Sequence, residues 1–86
     1  MKGTEKQIAF ANAVVKEWCE HATQKKTFFE SKKPNEMGMK LLNRAMEILE
    51  ERISAKDNAA EIISSRYAKE FDYEQIFGSL CKGEIR

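Results

Sequence analysis

Proline is nearly missing from this 86-residue chain, occurring once at Pro34, and glycine occurs only four times. The two strongest breakers of regular structure are therefore scarce, and long helices can run uninterrupted. Alternation of apolar and polar residues with period two is also lacking, which argues against sheet. Cysteine appears twice, as Cys19 and Cys81, far apart. That excludes the dense pairing of a small secreted scaffold and predicts a reducing compartment. No apolar run approaches the roughly 18 residues of a membrane span, and the amino end lacks a charged-then-apolar export pattern. The expected location is the cytosol, with no membrane partner. Charge of one sign is lacking too. Fifteen Lys and Arg oppose fourteen Asp and Glu, leaving a formal net charge of +1, too little for a global field that would draw in nucleic acid or an anionic bilayer.

What remains is a chain long enough for one modest core. At this size only about 60–65% of the unfolded surface is buried, which leaves little room for a large closed substrate cavity. Residues 1–34 carry seven basic and four acidic groups and residues 35–86 eight and ten, a mild asymmetry. There is no internal repeat and no low-complexity tract. The polar stretch Glu30–Asn35 around Pro34 predicts the first loop.

Thr4-Glu5-Lys6-Gln7 has the pattern of a capping box, in which a threonine caps the amide three residues on and a glutamine reaches back. A first helix is expected over about 5–29. Ile8, Ala11, Val15, Trp18, Cys19, Ala22 and Phe29 recur on it at helical spacing as a core-facing stripe, with Trp18 as anchor. A second helix, about 36–53, sets Leu41, Leu42, Ala45, Ile48, Leu49 and Ile53 against a charged opposite side. Gly38 falls in its apolar sector, as a site of close approach by a neighbouring helix or within a frayed first turn. Ser54 or Asp57 can cap a third helix, about 57–71, with Ala60, Ile63, Tyr67 and Phe71 as its buried stripe. Asp72 can cap a fourth, about 73–81, carrying Tyr73, Ile76, Phe77 and Leu80 and stopped by Gly83. The expected fold is all-α: a small bundle of three to four helices with short loops.

The pattern offers little for catalysis. Cys19, His21 and Cys81 could supply three of the four ligands of a structural zinc. On a helix, however, residues two apart diverge by about 200°, so Cys19 and His21 do not converge, and no metal or other cofactor is expected. His21 has Glu17 one turn away, an ordinary surface pair. Gly-rich phosphate loops, nucleophile triads and dense acidic clusters are missing, and the expectation is a protein that is not an enzyme.

Binding is the alternative to catalysis. On the first helix Phe10, Val14, His21 and Phe28 fall at i, i+4, i+11 and i+18, a second line beside the core stripe. Exposed, they would form a strip for a partner protein or a second copy of the chain. If the helix lies centrally, they are core instead. Lys25, Lys26, Lys32 and Lys33 bracket Phe28 and Phe29, a thin basic and aromatic mixture without arginine, suited to single-stranded nucleic acid or a membrane surface, or else a solvated helix end whose phenylalanines fold onto the core. Asp57–Leu80 read as a helix-turn-helix has Arg66 and Lys69 against five acidic residues, a poor balance for phosphate contacts. Tyr67 and Tyr73 suit an interface rim or a core edge.

Gly3-Thr4-Glu5-Lys6-Gln7-Ile8-Ala9-Phe10-Ala11 resembles the opening of short helical accessory proteins of phages and other mobile elements. There a Gly-Ser/Thr-Glu-Lys-Gln-Ile segment leads into an aromatic and an alanine. Asp57, Ala60, Ile62, Ile63 and Arg66 look loosely like a second helical motif of such proteins, with isoleucines where paired tryptophans are expected. The resemblance implies no catalytic residue. It implies a protein that occludes a host protein or complex, including the nucleases of bacterial immunity.

Overall fold

The computed structural model describes residues 1–85, and among them every regular element is helical. Helix α1, Glu5–Glu30, begins with the capping box: the Thr4 side chain accepts from the Gln7 amide at 3.1 Å and the Gln7 side chain from the Thr4 amide at 3.0 Å. Helix α2, Glu36–Ser54, starts at Asn35, whose side chain accepts from the Gly38 amide at 2.8 Å. Gly38 does serve a close approach, but to the preceding loop and not to another helix. A Cβ there would lie 2.8 Å from Pro34 Cβ.

The third element departs from the sequence expectation. Helix α3 spans only Ala59–Ser64, capped by Asn58; a 3₁₀ turn, Lys69–Phe71, follows after a loop, and α4 spans Tyr73–Cys81 with Asp72 as its cap. Of the expected stripe Phe71 is buried and Ile63 half-buried against the core, whereas Ala60 and Tyr67 are exposed and Ala59 and Ile62 are buried instead. Two consecutive serines, Ser64 and Ser65, end the helix where hydroxyls compete for backbone hydrogen bonds. The Arg66 carbonyl then accepts from the Trp18 indole N–H at 3.0 Å.

α3 packs chiefly on α1, and α2 on α4, giving an elongated body of 45 × 24 × 16 Å. The core runs between them: Ala11, Val14, Trp18 and Ala22 from α1, Leu42, Ala45, Ile48 and Leu49 from α2, and Phe71, Tyr73, Ile76 and Leu80 from the end of the chain. Trp18 lies flat on Phe71, ring centroids 4.1 Å apart and 4° from parallel. Tyr73 is fully buried and donates its hydroxyl to the Leu42 carbonyl at 2.7 Å, bolting α4 to α2. Burying side chains of this size stabilises by roughly 1.5–3 kcal/mol each. One expected stripe member sits otherwise: Cys19 is exposed, while Ile8, Val15 and Phe29 are half-buried against the core, Phe29 stacked on Phe77 at 5.2 Å.

The amino end is stitched to the loop before α3. The Lys2 amide donates to the Asp57 carbonyl at 2.7 Å, and the Ala59 amide to the Lys2 carbonyl at 2.8 Å. Gly3 adopts φ +145°, and a Cβ on it would lie 2.9 Å from Ala59 Cβ, so glycine is required there. No helix among the described residues is long and apolar enough to cross a membrane.

Candidate interaction site

The four residues proposed as an outer line on α1 do not share one fate. Phe10 and Phe28 are 46% and 53% exposed and His21 is exposed, whereas Val14 is 1% exposed and belongs to the core. The reason is helical phase. Val14 lies about 40° around the rod from Phe10, toward Trp18 and Ala11, and that rotation carries it under α3. Phe10, Glu17, His21 and Phe28 remain as a line along the border of the buried sector.

Beside the Phe10 end stands the loop between α3 and the 3₁₀ turn. Arg66 donates two hydrogen bonds from its guanidinium to the Glu17 carboxylate, Nε to one oxygen at 3.1 Å and NH2 to the other at 2.8 Å. The same guanidinium lies 5.6 Å from the centre of the Phe10 ring and 5.3 Å from that of Tyr67. Hydrogen bonding to Glu17 and then its negative charge push the Arg66 pKa above its usual value, so the cation is permanent. Tyr67 itself is 86% exposed, the most outward large apolar side chain. Between this loop and α1 runs an open cleft of about 310 Å³ whose walls include Glu17, Trp18, His21, Arg66, Tyr67 and Phe71.

The loop holds this position because Trp18 grips the Arg66 carbonyl and Phe71 stacks on Trp18. The sequence pattern sets Tyr67 in the buried stripe of a third helix or at an interface rim, and Arg66 on the same helix; in the structure Tyr67 is exposed and both residues lie in a turn beyond the helix. The overlooked signal is the Ser64-Ser65 pair, which takes the next two residues off the helix.

At the other end, Lys32 stands 4.9 Å over the Phe28 ring, and Phe28 meets Phe29 edge-on at 5.8 Å. The lysines proposed for nucleic acid are partly engaged: Lys25 pairs with Glu74 at 3.5 Å and Lys26 with Glu30 at 3.0 Å. Lys33 sits at a loop position with φ +55°. Two of the four charges are thereby partly neutralised before any phosphate arrives.

For chemistry, the arrangement offers little. Glu17, one helical turn before His21, is taken by Arg66. Although Cys19 is exposed, partial desolvation and then the charge of Glu50 push its thiol up, which keeps it protonated. Among the described residues no three of His, Cys, Asp or Glu converge to hold a metal ion. Comparison of the chain with protein-family models, curated proteins and solved structures finds no match.

Proposed function

We propose that this chain is a non-enzymatic accessory protein that works in the cytosol by binding a host protein and covering part of its surface. The observation that carries the reading is the Phe10–Arg66–Tyr67 cluster. It joins two exposed aromatic rings through a guanidinium already fixed by Glu17, on a loop anchored to the core by Trp18. Tyrosine and arginine dominate the energetics of protein interfaces, and a pre-ordered cluster loses little entropy on docking. The engaged Glu17 and the raised Cys19 thiol favour binding over catalysis. The resemblance at Gly3–Ala11 adds the origin: a phage or mobile-element protein, with anti-defence inhibition of the anti-CRISPR kind as the use.

The test is affinity capture from host lysate with the wild type and with Tyr67→Asp and Phe10→Glu, helicity being checked by circular dichroism. A stoichiometric protein captured by the wild type and lost from both folded variants supports the reading. Equal recovery with the variants, or no protein recovered, overturns it. A labelled nucleic acid shifted in a salt-dependent way through Lys25, Lys26, Lys32 and Lys33 would replace it with the nucleic-acid reading.

A further inference from the structure

A second cleft, of about 270 Å³, opens where the end of α2, the 3₁₀ turn and α4 meet. Arg52 enters it from α2. One of its terminal nitrogens donates to the Glu70 carbonyl at 2.7 Å, which seats the guanidinium, and its remaining N–H groups hold nothing among the described residues. Lys69, exposed on the 3₁₀ turn, stands at the same cleft and likewise has no carboxylate partner among them. This sets the pair apart from Lys25, Lys26 and Arg66, each of which is matched by a glutamate. Two more donors come from α4. Gln75 and Ser79 are four apart, one above the other on the helix, and their side chains hydrogen-bond to no described residue.

Ile76 and Ile85 make the apolar side. Gly83, at φ +75°, ends α4 in a left-handed turn in which the Glu84 amide donates to the Ser79 carbonyl at 2.9 Å, and this reversal carries Ile85 back onto the cleft. Glu70 also borders it, yet its carboxylate pairs with neither cation, so two positive charges oppose one negative.

We infer that this cleft binds the phosphate group of a small phosphate monoester. A guanidinium fork, an ammonium, a hydroxyl and an amide arriving from three elements can surround a tetrahedral oxyanion with donors, whereas a carboxylate offers only two oxygens along one edge. The charge agrees, because a phosphate monoester carries about −1.5 to −2 at neutral pH. The volume lies just under the roughly 300 Å³ at which drug-sized pockets begin, which leaves space for a phosphate and a short organic arm lying on Ile76 and Ile85. Arg52 is already fixed, so little side-chain entropy is lost there on binding. Phe10 and Tyr67 do not line this cleft, and the site stands apart from the proposed host-binding cluster.

Titration of the isotope-labelled chain with inorganic phosphate and with glycerol phosphate, followed by NMR at constant ionic strength, tests it. Both are expected to shift the amides of Lys69, Glu70, Gln75 and Ser79 saturably, with dissociation constants on the order of 1 mM, glycerol phosphate binding the tighter of the two. Lys69→Gln and Arg52→Gln should each weaken binding about tenfold. Glu70→Gln keeps the carbonyl that seats Arg52 and drops the opposing charge, so it should strengthen binding, while Lys33→Gln should leave it unchanged. Lys33, Lys69 and Glu70 are exposed, so these three variants test the site without touching the core. Shifts that fail to saturate, that fall equally on lysines outside the cleft, or that persist unchanged in Lys69→Gln would mean an adventitious ion only and overturn the inference. Acetate binding as tightly as phosphate would overturn it as well. Host capture is measured separately, so failure of either proposal leaves the other standing.

Discussion

Tyr67 and Tyr73 stand six positions apart and have opposite lives. Tyr73 is fully buried at the first turn of α4, its hydroxyl spent on the Leu42 carbonyl, while Tyr67 is 86% exposed on the loop just before. The same side chain thus serves as a core bolt where a cap starts a helix, and stands in solvent where two serines have ended one. Whether a tyrosine is structural or interactive is decided by its local backbone, which sets where the ring points, and not by its apolar area.

The contrast can be broken by truncation. Tyr73→Ala should cost about 3–5 kcal/mol in urea unfolding, the range for emptying a large aromatic site. Loss of less than about 1 kcal/mol would mean that α4 is not fastened through Tyr73. Next in size, Trp18→Phe removes the donor that holds the Arg66 carbonyl and should cost about 2 kcal/mol. Amide exchange in Ser65–Ala68 should speed up with little change in α4; equal acceleration in both would show that the loop is not separately anchored.

Smaller still, Tyr73→Phe gives up one hydrogen bond to a carbonyl that α2 already uses, at about 1 kcal/mol. It also carries a pH signature. Burial, and then the charge of Glu30, push the Tyr73 hydroxyl up to about 12 from an ordinary value of 10.0. Above pH about 10 the unfolded chain has lost that proton while the folded chain keeps it, so stability falls as pH rises through the window from about 10 to about 12. Urea midpoints in that window should fall more steeply for the wild type than for Tyr73→Phe; parallel curves would remove Tyr73 as the cause. The smallest effect belongs to Tyr67→Ala, which should change stability by no more than about 0.5 kcal/mol while abolishing capture of a host protein. A large loss of stability would make Tyr67 structural after all.

Much of the architecture was legible in the residues. The capping box at Thr4–Gln7, the charged and apolar sides of α2 and the cap at Asp72 are local signals, and local geometry obeys them. The segment after Ser54 was not. Ala59, Ala60, Ile62 and Ile63 offer two apolar stripes that differ by one residue, and counting onward to Tyr67 favours the one that holds the exposed Ala60. Only the pull of Trp18 on the Arg66 carbonyl and on the Phe71 ring, both distant in sequence, decides between them. The site was half legible for a related reason. Phe10, His21 and Phe28 emerge as the periodicity suggests, but Val14 sits about 40° nearer the core, and a helical wheel does not say where a small bundle's shadow ends. Arg66 could not be found from sequence, since its meaning comes from Glu17, 49 residues away.

Trp18 is the chain's sole tryptophan, and it touches both the core and the back of the Arg66–Tyr67 loop. The molecule therefore carries its own optical probe at the place of greatest interest. Indole emission responds to the donor bond and to the stacked ring together, so a ligand arriving at the cleft would announce itself in the fluorescence of the unlabelled protein.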